Sequence, residues 1–300
     1  GEKLRKKNNL SFIISKKYKF LHKEYTQNKF YKENFKFLFK SNNVKNIFFD
    51  SLKYIFHEKN KICLQFKKIK PDIVFIYNNH PINFLIFGLA KKINPFCKNI
   101  LFVHEPYHEE KKIFGLYGYL YFFFQELFQS ISLKEVQHVV LPSPLAKKIF
   151  LSKHKKFIGK VDNVNLLLHN KPYINSKKKY FTFGGNLNKG KGLDEFVNLV
   201  NYSANKNLNY KFKIIKNNKL EKYLSNLSKD GRKILIIENK KNITDLEMNK
   251  TYAESIAFFL LHKKATQSGA LVTCFMNGTP VIAKNIEAFS QYINHQINSY

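Results

Sequence analysis

One pattern constrains this chain more than any other. Short, almost wholly apolar runs recur along it, and each is followed by a longer amphipathic stretch. Ile73–Tyr77 (IVFIY), Asn99–Val103 (NILFV), Gln137–Leu141 (QHVVL), Tyr210–Ile215 (YKFKII), Lys233–Ile237 (KILII) and Ser255–Leu261 (SIAFFLL) all read this way. A strand buried on both faces loses the polar alternation of a half-solvated one, so these runs predict a parallel sheet covered by helices. Leu10–Ser15, Asn46–Phe49, Tyr180–Phe183 and Thr279–Ala283 are the remaining predicted strands. Helices are predicted over 50–68, from Pro81 to Lys92, from Pro144 onward and from Leu193 to Tyr202; proline suits a first helical turn, whose amides have no partner there. Turn residues and a charge run over 162–178 place a seam, giving two successive α/β domains, 1–168 and 169–300.

The apolar material suffices for such cores: 44% of the 300 residues are hydrophobic, with 30 Phe and 17 Tyr, which excludes a disordered basic tail. The formal net charge of +31 invites a nucleic-acid partner. Yet Arg5 and Arg232 are the only arginines, and bidentate readout of phosphates and base edges favours arginine, so no specific nucleic acid is expected. What the charge does imply is a surface attractive to phosphorylated substrates and to anionic lipid headgroups. Cys63, Cys97 and Cys274 show no metal-ligand spacing, and so sparse a count fits a reducing compartment. Ile113–Phe124 (IFGLYGYLYFFF) is too short to span a bilayer; it reads either as a buried core helix or as a helix lying on a membrane surface.

Three local signals carry chemistry. His104 and Glu105, in FVHEPYHE, follow a strand at its carboxyl end, where α/β folds place ligands, and are the candidate catalytic residues. His108 and Glu109 lie close by, but Pro106 breaks the continuous helix that a H-E-x-x-H metal site demands, so no metal is expected. The second signal is the loop FGGNLNKGKGLDEF, Phe183–Phe196. Its free amides can cradle a phosphate that Lys189 or Lys191 neutralises. Gly185, Gly190 and Lys191 nearly satisfy the nucleotide-binding pattern G-x-x-x-x-G-K-[ST], but Gly192 stands where the magnesium-binding hydroxyl is needed. The third is QSGALVTCFMNGTPVIA, in which Ser268, Gly269 and Ala270 open a helix whose amides can hold a diphosphate, and Gly278 turns into the next strand.

Together these pieces, over about residues 70–300, resemble the retaining glycosyltransferases of the group 1 or family 4 type. The loop around Gly185, Asn186 and Lys191 is similar to that family's G-R-x(n)-K-G phosphate clamp, and QSGA…NGTPVIAKNI to its diphosphate and nucleoside region. Phe102–Pro106 matches the stretch with a histidine near the acceptor sugar, and Leu141–Ser143 a serine-bearing strand end. The resemblance implies the GT-B fold, two facing Rossmann-like domains, here truncated at both ends. The first would take the acceptor and the second the nucleotide sugar. It departs at the clamp arginine, replaced by Asn186, and at two glutamates, replaced by Ala265 and Thr273.

What the resemblance implies chemically is transfer of a hexose, with retention, from a nucleoside diphosphate sugar to a saccharide or lipid-linked acceptor. Gly185, Asn186, Lys191, Ser268, Gly269 and Ala270 would bind the donor phosphates, and Thr273 and Gly278 the nucleoside. No cofactor or metal is required. The expected setting is envelope polysaccharide assembly in the cytoplasm, peripheral to the inner membrane face. With both glutamates absent, a weakened, nucleotide-sugar-binding relative is the alternative; an epimerase and a nucleic-acid binder are the more distant ones.

Overall fold

The computed structural model describes residues 12–14, 35–37, 59–77, 82–106, 115–164, 174–185, 189–216, 224–239 and 243–293. The predicted strand at 46–49, the start of the predicted helix at 50–58, Pro81, His108, Glu109 and Asn186 lie outside them. The chain divides into two compact units: residues 1–102 with 120–139, and residues 103–119 with 140–300.

Two short parallel strands come first, β1 (Phe12–Ile14) and β2 (Phe35–Phe37). Helix α1 (Lys59–Ile69), β3 (Ile73–Tyr77), α2 (Asn83–Ile93), β4 (Lys98–Phe102), α3 (Gly115–Ser132) and β5 (His138–Leu141) then alternate. They are followed by α4 (Pro144–Lys153) and β6 (Val161–Asn163), a strand too short and polar to stand out in the sequence. The four strands lie in the order β3-β4-β5-β6, and β3 and β4 pair in parallel. In the first unit Ile62, Phe66, Ile82, Ala90 and Cys97 form the core. Asn99, fully buried, is satisfied there: its amide nitrogen donates to the Phe87 and Glu135 carbonyls at 3.2 and 2.9 Å.

The second half adds β7 (Tyr180–Gly185), α5 (Leu193–Asn205), β8 (Phe212–Lys216), α6 (Lys229–Ile234), β9 (Leu235–Asn239), α7 (Asp245–Ala253), β10 (Ser255–Leu260), α8 (Gly269–Met276), β11 (Val281–Ala283) and α9 (Glu287–Ser290). Lys233 and Ile234 close α6 instead of opening a strand, because the Ser228 hydroxyl caps that helix by accepting from the Gly231 amide at 2.9 Å. Another helix, α7, had no strong apolar periodicity to reveal it; a capping box between Thr244 and Glu247 starts it.

Five of these strands form a wholly parallel sheet in the order β11-β10-β7-β8-β9. The chain builds outward from β7 through β8 to β9, then returns to the other side of β7 with β10 and β11. Where the order reverses, between β7 and β10, the connections leave in opposite directions, and it is at the carboxyl ends of such strands that parallel sheets place ligands. Successive residues of β10 serve opposite faces. Phe259 joins Phe183, Phe196, Val200, Phe212 and Ile214 under α5, while Phe258 and Leu260 join Leu271, Cys274 and Phe289 under α8 and α9.

Candidate functional site

Glycines at the end of β7 have separate reasons to be glycine. A Cβ on Gly184 would meet the Ile215 side chain at 2.6 Å, so close packing of β7 on β8 requires its absence. Gly185 has open space around it but a φ of +110°, which side-chain-bearing residues rarely adopt. A single tight turn, Lys189–Lys191, leads to Gly192, which precedes α5 at φ +76° and whose Cβ would run into the Leu261 carbonyl oxygen. The loop after β7 is thereby pressed onto the end of β10. The Lys263 amide secures it by donating to the Gly190 carbonyl at 2.8 Å.

That approach brings Lys191 to His262, with Nζ 2.6 Å from the imidazole Nε2. An ammonium can only donate, so Nε2 accepts and the ring carries its proton on Nδ1. Burial, and then the charge of Lys191, press the His262 pKa down to about 3. Ion pairs flank the pair: Lys284 to Glu195 at 2.8 Å and Lys263 to Asp194 at 3.4 Å.

At the end of the connection that follows β10, Ser268 is the N-cap of α8 and its hydroxyl accepts from the Leu271 amide at 3.3 Å. The amides of Gly269 and Ala270 stand in the first turn, where helix geometry supplies no partner. Gly269 is exposed, and nothing lies within 4 Å of where its Cβ would be. Thr273, one turn on, donates its hydroxyl to the Gly269 carbonyl at 2.8 Å. Gly278, at φ +57°, closes the far end of α8, and its carbonyl accepts from Lys178 at 3.2 Å. With eight residues in the helix, that end is about 12 Å from its start. Ala265 is half-buried against the apolar cluster beneath α8.

His104 belongs to the second unit, and its Nδ1 lies 2.8 Å from Gln267 Nε2, the residue just before Ser268. The amide nitrogen donates and Nδ1 accepts, leaving the proton of the neutral ring on Nε2. Glu105 is exposed. Ser143 caps α4, accepting from the Ala146 amide at 3.0 Å, and donates to the Thr266 carbonyl at 2.8 Å. The β10–α8 connection, residues 261–268, is thus the hub that Gly192, Lys191, Ser143 and His104 all touch. Among the described residues, the buried side-chain polar atoms without a hydrogen-bond partner are His262 Nδ1 and Gln267 Oε1, both in this connection. Native interiors rarely leave such atoms unpaired away from functional sites. Sequence motifs do not single out His262, though it directly follows an apolar run, the same signal that marks His104; Gln267 enters only as the first residue of the third motif.

Among the described residues no cluster of His, Cys, Asp and Glu could hold a metal ion, and no helix is long and apolar enough to cross a membrane.

No protein-family model matches the sequence, and no curated protein matches it. Solved structures do. A glycosyltransferase from Rickettsia africae ESF-5 is similar at TM-score 0.59 and 18% identity, over 90% of this chain and 71% of that one. The lipopolysaccharide outer core galactosyltransferase WaaB, in apo form, matches at 0.56 and 16% over the same shares. TarM matches at 0.59 and 14%, over 80% of this chain and 47% of that one. This chain therefore spans about half the length of TarM. A mutant of S. aureus TarM has also been solved in complex with fondaparinux, alpha-GlcNAc-glycerol and UDP. At these identities the likeness is one of fold: the chain has the α/β architecture of the GT-B glycosyltransferases.

Proposed function

We propose that this chain is a glycosyltransferase that moves a hexose, with retention, from a nucleoside diphosphate sugar to a saccharide or lipid-linked acceptor. The observation that carries the reading is the convergence of the Lys191 loop and the α8 N-terminus at the reversal between β7 and β10. Both can bind phosphate, and both leave the carboxyl ends of adjacent parallel strands, where such sheets bind nucleotides. In this reading Gly185, Asn186 and Lys191 hold the diphosphate from one side, and Ser268, Gly269 and Ala270 from the other, with Thr273 on the nucleoside side; Gly278, beside Lys178 at the amino end of β7, shapes only the turn into β11. Residues 169–300 take the donor and 1–168 the acceptor.

As the sugar–phosphate bond breaks, positive charge builds on the ring and negative charge on the departing diphosphate. Lys191 and the first-turn amides of α8 stabilise the latter without reorganising. The leaving phosphate takes the acceptor hydroxyl's proton. His104, held through Nδ1 by Gln267, orients a sugar hydroxyl or phosphate oxygen, with Glu105 beside it. Envelope polysaccharide assembly at the inner face of a membrane would suit the charge and the apolar stripe of α3, where Leu116, Leu120, Phe123 and Leu127 are exposed.

Calorimetric titration of the full chain with UDP, GDP and ADP tests the reading, and binding of one of them that persists at about 0.3 M salt is expected, since non-specific charge attraction is screened there. A folded chain that binds none would sink it. A second reading, a nucleotide-sugar binder of weakened turnover, is favoured by Ala265 against the apolar cluster and by the Thr273 hydroxyl turned back to its own helix. Tight nucleotide binding without transfer to any saccharide or lipid-linked acceptor would select it.

A further inference from the structure

His262 follows β10 by two residues, beside the point where the strand order reverses. Its ring is held edge-on against Phe289, with centroids 5.4 Å apart. The backbone around it is tied to the Lys191 loop twice more, by the Lys263 amide on the Gly190 carbonyl and by Gly192 packed on Leu261. An acceptor fixed in this way confines whatever donates to it.

We propose that His262 is a positioning residue of the phosphate site, holding the Lys191 ammonium at the carboxyl end of β10 so that the lysine meets a nucleoside diphosphate already in place. This rests on the assignment of Lys191 to the phosphates. A lysine side chain has several rotatable bonds, and ordering it beforehand removes part of the rotamer entropy otherwise lost in the binding step. Imidazole suits the task better than a carboxylate. Asp or Glu at 262 would also order the lysine, but would set a negative charge where the ligand's phosphates must come. Burial and the neighbouring ammonium keep the ring neutral, so it stays an acceptor at physiological pH.

The test is the affinity of the full chain for the nucleotide it binds among UDP, GDP and ADP, with His262→Gln, His262→Leu and His262→Glu, each with and without Lys191→Met. His262→Leu should weaken binding about tenfold, and His262→Gln, which keeps an acceptor, by no more than about threefold. His262→Glu should fall below the leucine variant although it can accept. In the Lys191→Met background the leucine change should cost nothing further. Unchanged affinity for His262→Leu, or an equal loss in both backgrounds, overturns the proposal and leaves the phosphate site standing. No binding by the unmodified chain overturns both. Should a variant fail to fold, the ring nitrogen spectrum of His262 in the unmodified, unliganded chain decides. The proton should sit on Nδ1 from about pH 8 to about pH 5, and a proton on Nε2 or a titration near the ordinary histidine pKa overturns the proposal.

Discussion

At the scale of single residues, the corner around Lys191 makes separable predictions. Lys191→Ala should weaken nucleoside diphosphate binding by about tenfold or more, as removal of a charge-assisted contact does, while leaving the fold intact. Calorimetry checks it, and equal affinity would remove Lys191 from the site. Gly192→Ala should cost about 2 kcal/mol or more, since an L-residue pays 1–2 in the left-handed region before any clash with Leu261. Gly269→Ala, where a Cβ meets nothing, should leave the unfolding midpoint unchanged or slightly raised. His262 adds a pH signature. Its folded pKa is depressed, so as pH falls below the ordinary 6.5 the unfolded chain gains a proton that the native ring resists, and stability drains down to about 3. The loss is at most about 1.4 kcal/mol per pH unit. Denaturation of the unmodified chain should therefore fall more steeply between about pH 6 and pH 4 than that of His262→Gln; parallel slopes would mean the ring is not held neutral.

At the scale of elements, the β10–α8 connection is positioned from outside itself. Ser143 is fully buried and makes two bonds with one hydroxyl, capping α4 and supporting the Thr266 carbonyl. Ser143→Ala should therefore cost about 2–4 kcal/mol, the sum of a lost cap and an unsatisfied part-buried carbonyl. It should also weaken nucleotide binding, because residues 261–268 lose an anchor. A loss of stability with affinity untouched would confine Ser143 to the fold. Elements were legible in the sequence where one residue type announced them. Pro144 marks the start of α4, and the apolar runs of β4, β8 and β10 mark strands buried on both faces. Boundaries set by side-chain caps, such as Ser228 before α6, were not, because the same KILII run suits a helix end as well as a strand start until the cap bond is seen.

At the scale of the whole molecule, a net charge of +31 and the exposed residues of α3 predict behaviour at surfaces. The chain should sediment with vesicles rich in anionic lipid at about 0.1 M salt and release as screening rises toward 0.5 M. A Leu120→Ser/Phe123→Ser double variant should bind them several-fold less without a change in thermal midpoint, since both side chains are about half exposed. Unaltered partitioning would leave the attraction to charge alone. What the sequence by itself determined is the class, since apolar runs spaced by amphipathic helices permit little besides covered parallel sheets, and with it the glycine-bearing connections after β7 and β10. Local pattern suffices for these because period, turn conformation and helix ends are properties of neighbours in the chain. The strand order, and with it the reversal between β7 and β10, came only with the tertiary structure. So did the pairs Lys191–His262 and His104–Gln267, whose partners lie 71 and 163 residues apart. Contacts at that separation arise from how strands are laid side by side, and no local spacing encodes which strand ends will meet.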